Sequence, residues 1–239
     1  MDNTIYSTLT RQSGLMQEMQ SVANNIANAS TTGFRREGII FSEYVDALAP
    51  GDPSLSMATA NVRALSLQQG ALTQTGGTFD FAIEGEGFFM VEGPTGQFLT
   101  RAGSFTPSAE GELSTPDGYR LLDSGGSPIF IPPDAKSVSL ASDGTLSVDG
   151  RATGQIGLYQ PISKDDLQQR DGVRFEVTGD VEPAFDDAVI LQGFVEGSNV
   201  NPIVEVARMI EVQRSYELGQ QFLEKEDERI RSVLKTVGG

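Results

Sequence analysis

The main structural signal in this chain comes from two stretches near its ends. They are LMQEMQSVANNIANA at residues 15–29 and MIEVQRSYELGQQFLEKEDERIRSV at residues 209–233. In both stretches, side chains three and four residues apart form one stripe along a helix, the kind of seam that a coiled coil buries. We predict an assembly seam of ten residues, Leu15, Met19, Val22, Ile26, Ala29, Met209, Val212, Tyr216, Leu223 and Ile230. The two ends would pair with each other or with copies from other subunits. Packing of both helices on the central domain of the same monomer is the alternative.

Composition narrows the chemistry. The 239 residues include 27 Gly and 11 Pro but no Cys and no His, which excludes disulfides, Cys-His and Ser-His-Asp nucleophile systems and every His-based metal site. No apolar run is long enough to cross a membrane, so we expect no direct membrane insertion. The N-terminus lacks a basic start and an apolar core, so we expect no cleavable secretory signal.

The net charge of −16 lies almost entirely in the middle of the chain. Residues 1–40 carry three acids and three bases, and residues 200–239 carry seven acids and six bases. Nucleic acid is not an expected partner, because phosphate contacts need clustered Lys and Arg. The near-neutral ends can associate with like copies without strong repulsion, while the acidic middle stays solvated.

Both ends read as long helices. The first is predicted over residues 3–30, with Gly33 as a helix stop or a loop glycine. The second begins at Asn199 or Asn201, before Pro202, and we place Glu205 and Arg208 as an ion pair on its exposed face. A glycine at position 219, inside this helix, costs about 1 kcal/mol against Ala. Such a glycine is tolerable only where a neighbour approaches closely.

The middle of the chain reads as β structure. Alternation through Phe79, Phe81 and Ile83 predicts a strand, and Phe88 to Val91 and Ala188 to Val195 predict two more. Closely spaced Asp-Gly and Gly-Pro turns favour antiparallel hairpins in a sandwich or barrel, and no helical crossover pattern separates the strands.

No motif points to catalysis. Gly85-Glu86-Gly87 leads into another strand, whereas a dinucleotide fingerprint needs a helix there. The acid pairs at 165–166 and 186–187 are better explained as solvated loop acids than as a carboxylate hydrolase. Asp143-Gly144 and Asp149-Gly150 match no EF-hand spacing and are explained as hairpin turns. We therefore predict no catalytic, cofactor-binding or metal-binding residues.

Several motifs, in order along the chain, resemble bacterial flagellar axial proteins of the rod and hook family. They are ANNIANASTTGF at 23–34, QGALTQT at 69–75, GEGFF at 85–89, TRAGSF at 100–105, SNVN at 198–201 and MIEVQRSYE at 209–217. The short middle argues against a hook protein and favours a rod protein of the proximal type, with the distal type second. The motif residues are Asn24, Asn25, Asn28, Thr32, Gly33, Phe34, Gly85, Gly87, Phe88, Phe89, Arg101, Ser198, Asn199, Val200, Gln213 and Tyr216.

The resemblance implies a discontinuous α+β chain. Residues 1–34 and 200–239 would pair as a coiled-coil-like axial domain, 35–75 would be an extended connector, and 76–199 would be the antiparallel β domain. It implies a structural subunit that transmits torque in the basal-body rod across the periplasm, with other rod proteins and possible further copies of itself as partners. It also implies export through the flagellar type III apparatus. The alternative from the residues alone is a stand-alone β domain that binds or hydrolyses something.

Overall fold

The structure is a computed structural model that describes residues 2–46, 55–163, 166–184 and 188–237. The chain divides into two compact units. The terminal unit comprises Met1–Ala29, Arg36–Ser66 and Val200–Gly239, and the central unit comprises Ser30–Arg35 and Leu67–Asn199. The predicted α+β class is confirmed, with paired terminal helices and a central antiparallel β structure.

The terminal unit contains both helices, α1 (Asp2–Ala27) and α2 (Pro202–Val237). They run antiparallel, because Gln12 contacts Tyr216 whereas Glu18, further along α1, contacts Arg208, which is earlier on α2. The structure therefore pairs the two ends of the chain with each other inside one subunit.

Asn201 begins α2. Its Oδ1 accepts hydrogen bonds from the backbone N–H groups of Ile203 at 3.1 Å and Val204 at 3.3 Å, which have no carbonyl partner within the helix. Pro202 follows as the first helical residue, where its missing N–H costs nothing. Of the two predicted caps, Asn201 is therefore the one that the structure uses.

Two long strands of the terminal unit pair with each other. Strand β1 (Glu37–Asp46) pairs antiparallel with β2 (Leu55–Leu65), and the register shifts between Ile40 and Phe41. Both strands are extended, as the sequence suggested for this part of the chain. The predicted limits of a separate connector, 35 and 75, remain a prediction.

The central unit is built from sixteen short strands within its described residues, and every strand pair is antiparallel. They are β3 (Leu72–Gln74), β4 (Phe81–Gly85), β5 (Phe88–Gly93), β6 (Gly96–Thr100), β7 (Thr106–Pro107), β8 (Leu113–Ser114), β9 (Arg120–Leu121), β10 (Val138–Leu140), β11 (Thr145–Val148), β12 (Arg151–Gln155), β13 (Leu158–Pro161), β14 (Leu167–Asp171), β15 (Arg174–Val177), β16 (Val181–Pro183), β17 (Ala188–Gln192) and β18 (Phe194–Glu196).

The largest sheet has the order β14-β15-β6-β5-β9-β8-β7, and β13 joins it at β5 and carries β16. A separate sheet has the order β10-β11-β12, while β17 pairs with β4 and β18 pairs with β3. The predicted strand at Phe88 to Val91 is confirmed as part of β5. The many short strands joined by glycine turns are those expected of a sandwich or barrel sequence.

The core of the central unit is rich in phenylalanine. Phe105 contacts the rings of Phe81 and Phe89, at centroid distances of 6.0 and 5.7 Å. Strand β4 differs from the predicted alternation, since Ala82 is as fully buried as Phe81 and Ile83. This strand is covered on both faces, and a period-two pattern detects only strands with one solvated face.

The last predicted strand, 188–195, is two strands. Gly193 has a φ of +76° and separates β17 from β18, which pair with different partners. A positive φ breaks the extended backbone and is readily adopted only by glycine. Gln192 and Gly193 interrupt the apolar run AVILQGFV, and the glycine is the local sign of this break.

Gly33 is required by a close backbone approach. Its φ is +73°, and a Cβ placed on it would lie 2.2 Å from the backbone nitrogen of Ala102. Gly76 has the same φ of +73°, but a Cβ there would meet nothing within 4 Å.

The two glycines therefore form a matched pair for mutation. We expect Gly76→Ala to cost about 1 kcal/mol of unfolding free energy, the strain of a left-handed backbone alone. Gly33→Ala adds a backbone clash, and we expect at least about 2 kcal/mol more. Urea unfolding of the full chain, followed by circular dichroism, measures both. Equal losses would show that the approach of Ala102 does not constrain residue 33.

Candidate functional site

The predicted seam residues all lie in the terminal unit, and most of them are covered. Leu15, Val22 and Val212 are at most 8% exposed. Six others are half-buried, namely Met19, Ile26, Ala29, Met209, Tyr216 and Leu223. Ile230 is exposed. Nine of the ten residues are thus at least partly covered in the subunit, and their role as an assembly seam stays a prediction.

Gly219 of α2 is in close contact with a side chain of α1. A Cβ on Gly219 would lie 1.8 Å from Nε2 of Gln12, and this Nε2 donates a 2.9 Å hydrogen bond to the backbone carbonyl of Tyr216. Gln12 is 7% exposed, so the bond is shielded from water. The prediction that a neighbour presses on Gly219 is confirmed.

Polar contacts fix the register of the two helices. Arg208 reaches Glu18 on α1 with a 2.7 Å ion pair. The predicted surface pair of Glu205 with Arg208 is wrong. Glu205 is 1% exposed and bonds to Arg36 and Asn25 instead, because its side of α2 is covered within the terminal unit.

Glu205 is the centre of a buried polar cluster in the terminal unit. Its Oε1 pairs with Nε of Arg36 at 2.5 Å, and its Oε2 accepts a hydrogen bond from Nδ2 of Asn25 at 3.1 Å. Asn25 also binds the backbone of Glu37 in both directions, donating to its carbonyl at 2.7 Å and accepting from its N–H at 2.9 Å. One motif asparagine thereby ties α1 to the starts of β1 and α2.

Glu196 holds a second buried cluster, in the central unit. Its carboxylate is fully buried and pairs with Arg35 at 2.5 Å and with Arg101 at 3.1 Å. Its Oε1 also accepts the backbone N–H of Gly70 at 2.8 Å. Arg101 donates its remaining bonds to the carbonyls of Ile83 and Gly85.

Burial lowers the pKa of Arg101 to about 10, although Glu196 acts in the opposite direction. The guanidinium is still charged at neutral pH. Two arginines therefore share one carboxylate in a setting where an unpaired charge is costly. Such a cluster requires its partners to be brought together accurately, and its loss leaves charge without compensation.

Among the motif residues, Asn25 belongs to the Glu205 cluster, while Arg101 and the carbonyl of Gly85 belong to the Glu196 cluster. Gly85, Gly87, Phe88, Phe89 and Arg101 lie together in the central unit. The other central-unit members are Thr32, Gly33, Phe34, Ser198 and Asn199, and the remaining members lie in the terminal unit. Gln213 is exposed on α2, so the helix pair does not explain its presence.

Sequence reasoning missed Gln12, Arg35, Glu196 and Glu205. A weak signal existed for two of them, since Arg35 directly follows the apolar Phe34 and Glu196 interrupts the apolar run before Gly197. Burial of a charge depends on a partner distant in sequence, which periodicity does not reveal.

The described residues contain no group of three acidic, Cys or His side chains placed to hold a metal ion. Neither α1 nor α2, over their described lengths, is long and apolar enough to cross a membrane. The fold and site define a class of protein, an α+β chain whose two ends form one helix pair and whose middle forms a separate β unit.

Comparison with known proteins identifies the family. Residues 5–35 match the description "Flagella basal body rod protein", 82–148 match "Flagellar hook protein FlgE/F/G D1 domain", and 191–236 match "Flagellar basal body rod FlgEFG protein C-terminal". The chain is 37% identical to the flagellar basal-body rod protein FlgF of Mesorhizobium japonicum, over 98% of both chains.

Two further relatives agree. The identity to FlgF of Caulobacter vibrioides is 38%, over 100% of this chain and 99% of the relative, and that to FlgG of Bacillus subtilis is 28%, over 98% of both. The chain belongs to the flagellar basal-body rod protein family, as the motifs indicated.

The contact of Gln12 with Gly219 can be tested by a double-mutant cycle. Gly219→Ala should lower the unfolding free energy by about 1 kcal/mol, because losing the shielded hydrogen bond outweighs the gain in helix propensity. In a Gln12→Ala background, the same change should instead stabilise the chain by about 1 kcal/mol. Urea unfolding followed at the helical band measures both. The same sign in both backgrounds would contradict the contact.

We expect a single substitution in the Glu196 cluster to lower the free energy of unfolding strongly. Glu196→Gln leaves two buried arginines without a carboxylate, and we expect a loss of about 3 kcal/mol or more. Glu92→Gln is the control, since Glu92 also pairs with an arginine at 2.5 Å but is about one-third exposed. It should cost about 1 kcal/mol or less. Similar midpoints of urea unfolding for the two variants would refute the structural role of Glu196.

Proposed function

We propose that this chain is a structural subunit of the flagellar basal-body rod, of the FlgF type, that assembles through its terminal helices and transmits torque. FlgF relatives match at 32–38% identity and FlgG relatives at 28–30%, which favours the proximal over the distal rod. The family consists of structural proteins, and the stand-alone hydrolase alternative gains no support from the described residues.

One observation carries the assembly role. Ile203, Val206 and Ile210 are 80%, 46% and 45% exposed, and their spacing of three and four residues puts them in one stripe on α2. We call these three residues the outer face. Glu205 and Val212 are buried, which shows that α1 covers the opposite side of the helix.

An exposed apolar stripe on a helix that is already paired is typical of an interaction surface. The seam residues form the helix pair within a subunit, and the outer face is then available to neighbouring rod components. Copies of this chain are also suitable neighbours, because the near-neutral ends do not repel each other as the acidic middle does.

The proposal extends to the export and the location of the subunit. The subunit leaves the cytoplasm through the flagellar type III apparatus and joins the rod in the periplasm. Long helices with little tertiary cover are marginal in isolation. Exposed positions along the distal part of α2, such as Leu218 and Val233, would gain cover on assembly.

A charge placed on the outer face tests the proposal. We expect Ile210→Glu to abolish rod assembly and swimming while leaving the thermal midpoint of the monomer within about 2 °C, because residue 210 has few contacts in the subunit. Gln17→Glu adds the same charge at an exposed residue of α1, outside the outer face, and should keep motility. Rod assembly is scored in purified basal bodies and swimming in soft agar.

A second variant distinguishes the role of the seam from that of the outer face. Val22 is 3% exposed between the helices, so Val22→Glu should lower both helicity and assembly. Because the chain has no Cys, Ile210→Cys supplies a unique thiol whose cross-links in assembled rods identify the neighbour. Normal swimming of Ile210→Glu cells would refute assembly through the outer face.

A further inference from the structure

Residues 30–35 belong to the central unit, although the chain before and after them, Met1–Ala29 and Arg36–Ser66, belongs to the terminal unit. The side chains at the end of this segment are covered, since Phe34 has no exposed surface and Arg35 is 1% exposed. The central unit therefore holds the segment much as a protein holds a bound peptide, and the chain enters the terminal unit at both ends of it.

This segment is bonded to the last residues of the central unit. The backbone N–H of Gly33 donates to the carbonyl of Glu196 at 2.8 Å. The N–H of Asn199 donates to the carbonyl of Phe34 at 3.3 Å. Arg35 adds its ion pair with the carboxylate of Glu196. Backbone and side-chain bonds thus join two parts of the chain that are far apart in sequence.

We call residues 30–35 together with 196–199 the clamp, because they join the chain that follows α1 to the chain that precedes α2. Most of the sequence separates Ala27, the end of α1, from Pro202, the start of α2. Through the clamp, the path between these two helix ends shortens to about ten residues, which lowers the entropy lost when the helices meet. Loop closure depends on the three-halves power of length, so the effective concentration of one helix near the other rises roughly 70-fold over that in a chain whose middle is unfolded.

The two units differ in how far their own contacts stabilise them. The hydrophobic core that contains Leu146 and Ile156 lies wholly in the central unit. In α2, over residues 202–236, only Glu205 and Val212 are buried. A long helix with so little cover is marginal by itself. The helix pair is therefore the part of the chain that needs the short connection.

We propose that the clamp makes the pairing of α1 with α2 conditional on a folded central unit. The central unit folds around its own core, binds residues 30–35 beside residues 196–199, and so brings the two helices within reach of each other. Unfolding then occurs in order, because the helix pair opens first and the central unit opens only afterwards. A subunit with an unfolded middle would present no outer face. This last consequence rests on the proposed function, whereas the clamp itself does not.

Native-state hydrogen exchange of the isolated full-length chain tests this order. We expect the amides of α1 and α2 to be protected, but less than those of β5. A conditional helix pair adds its stability to the central unit by linkage, so a substitution on α2 should affect both units. Val212→Ala should therefore lower the protection of α2 and of β5 by the same factor, about tenfold.

A matched variant in the central core should give a different pattern. Ile156 is fully buried in that core, and Ile156→Val should lower the protection of β5 about twofold to tenfold. It should leave α2 unchanged, because the helix amides exchange in the earlier opening, during which the central unit stays folded.

A longer connection tests the clamp itself. About twenty Gly and Ser residues inserted between Asn199 and Val200 lengthen the path from the clamp to α2, and we expect the protection of both helices to fall about fivefold. The same insertion between Gly125 and Gly126, in an exposed turn of the central unit, lies outside this path. It should leave helix protection unchanged.

Four results would overturn the proposal. Unprotected helices in the parent chain would show that the clamp does not pair them. An unchanged β5 in Val212→Ala would mean that the helices pair independently of the central unit, and equal losses in α2 and β5 in Ile156→Val would mean a single cooperative unit. Equal effects of the two insertions would show that the clamp does not set the path. Normal swimming of Ile210→Glu cells concerns the outer face alone and does not bear on these exchange measurements.

Discussion

The burial of Glu196 between Arg35 and Arg101 is the constraint on which the central unit depends. A carboxylate and two guanidinium groups lose most of their hydration there, and only direct pairing offsets that cost. In sequence, β1 and β2 lie between Arg35 and the strands of the central unit, and Glu196 is the last residue of β18. Pairing these two residues therefore ties a short N-terminal segment into a unit formed by residues 67–199. A misplaced segment would leave a buried charge unpaired, so the cluster favours one arrangement over others.

The neighbouring Arg36 does the equivalent work in the terminal unit. It pairs with Glu205 at the start of α2, and Asn25 bonds to the same carboxylate and to the backbone of Glu37. Two adjacent arginines thus hold two buried glutamates, one in each unit. This arrangement gives a structural reason for the presence of a polar residue such as Asn25 in the family motif. Their function is to position the ends of helices and strands.

A subunit built this way uses its apolar stripes for different purposes. The predicted seam residues of α1 and α2 are largely covered within the subunit. Val22 and Val212 are buried, and Gln12 lies against Gly219. The outer face of Ile203, Val206 and Ile210 is left uncovered. Pairing within the subunit makes α2 a rigid platform, which reduces the entropy lost when its outer face binds a neighbour. The proposed rod assembly through a preformed helix pair rests on this division.

The sequence by itself determined the helical ends, the antiparallel β middle, the lack of His and Cys chemistry and the family, because periodicity, turn residues and motifs are local properties. It also indicated that Gly219 needs a close neighbour. The three-dimensional contacts were needed to show that this neighbour is Gln12 and that Glu205 is buried. They were also needed to show that β17 and β18 pair with different strands and that both faces of β4 are covered. Each of these depends on contacts between residues far apart in the chain, whose free energies of burial and pairing have no local signature.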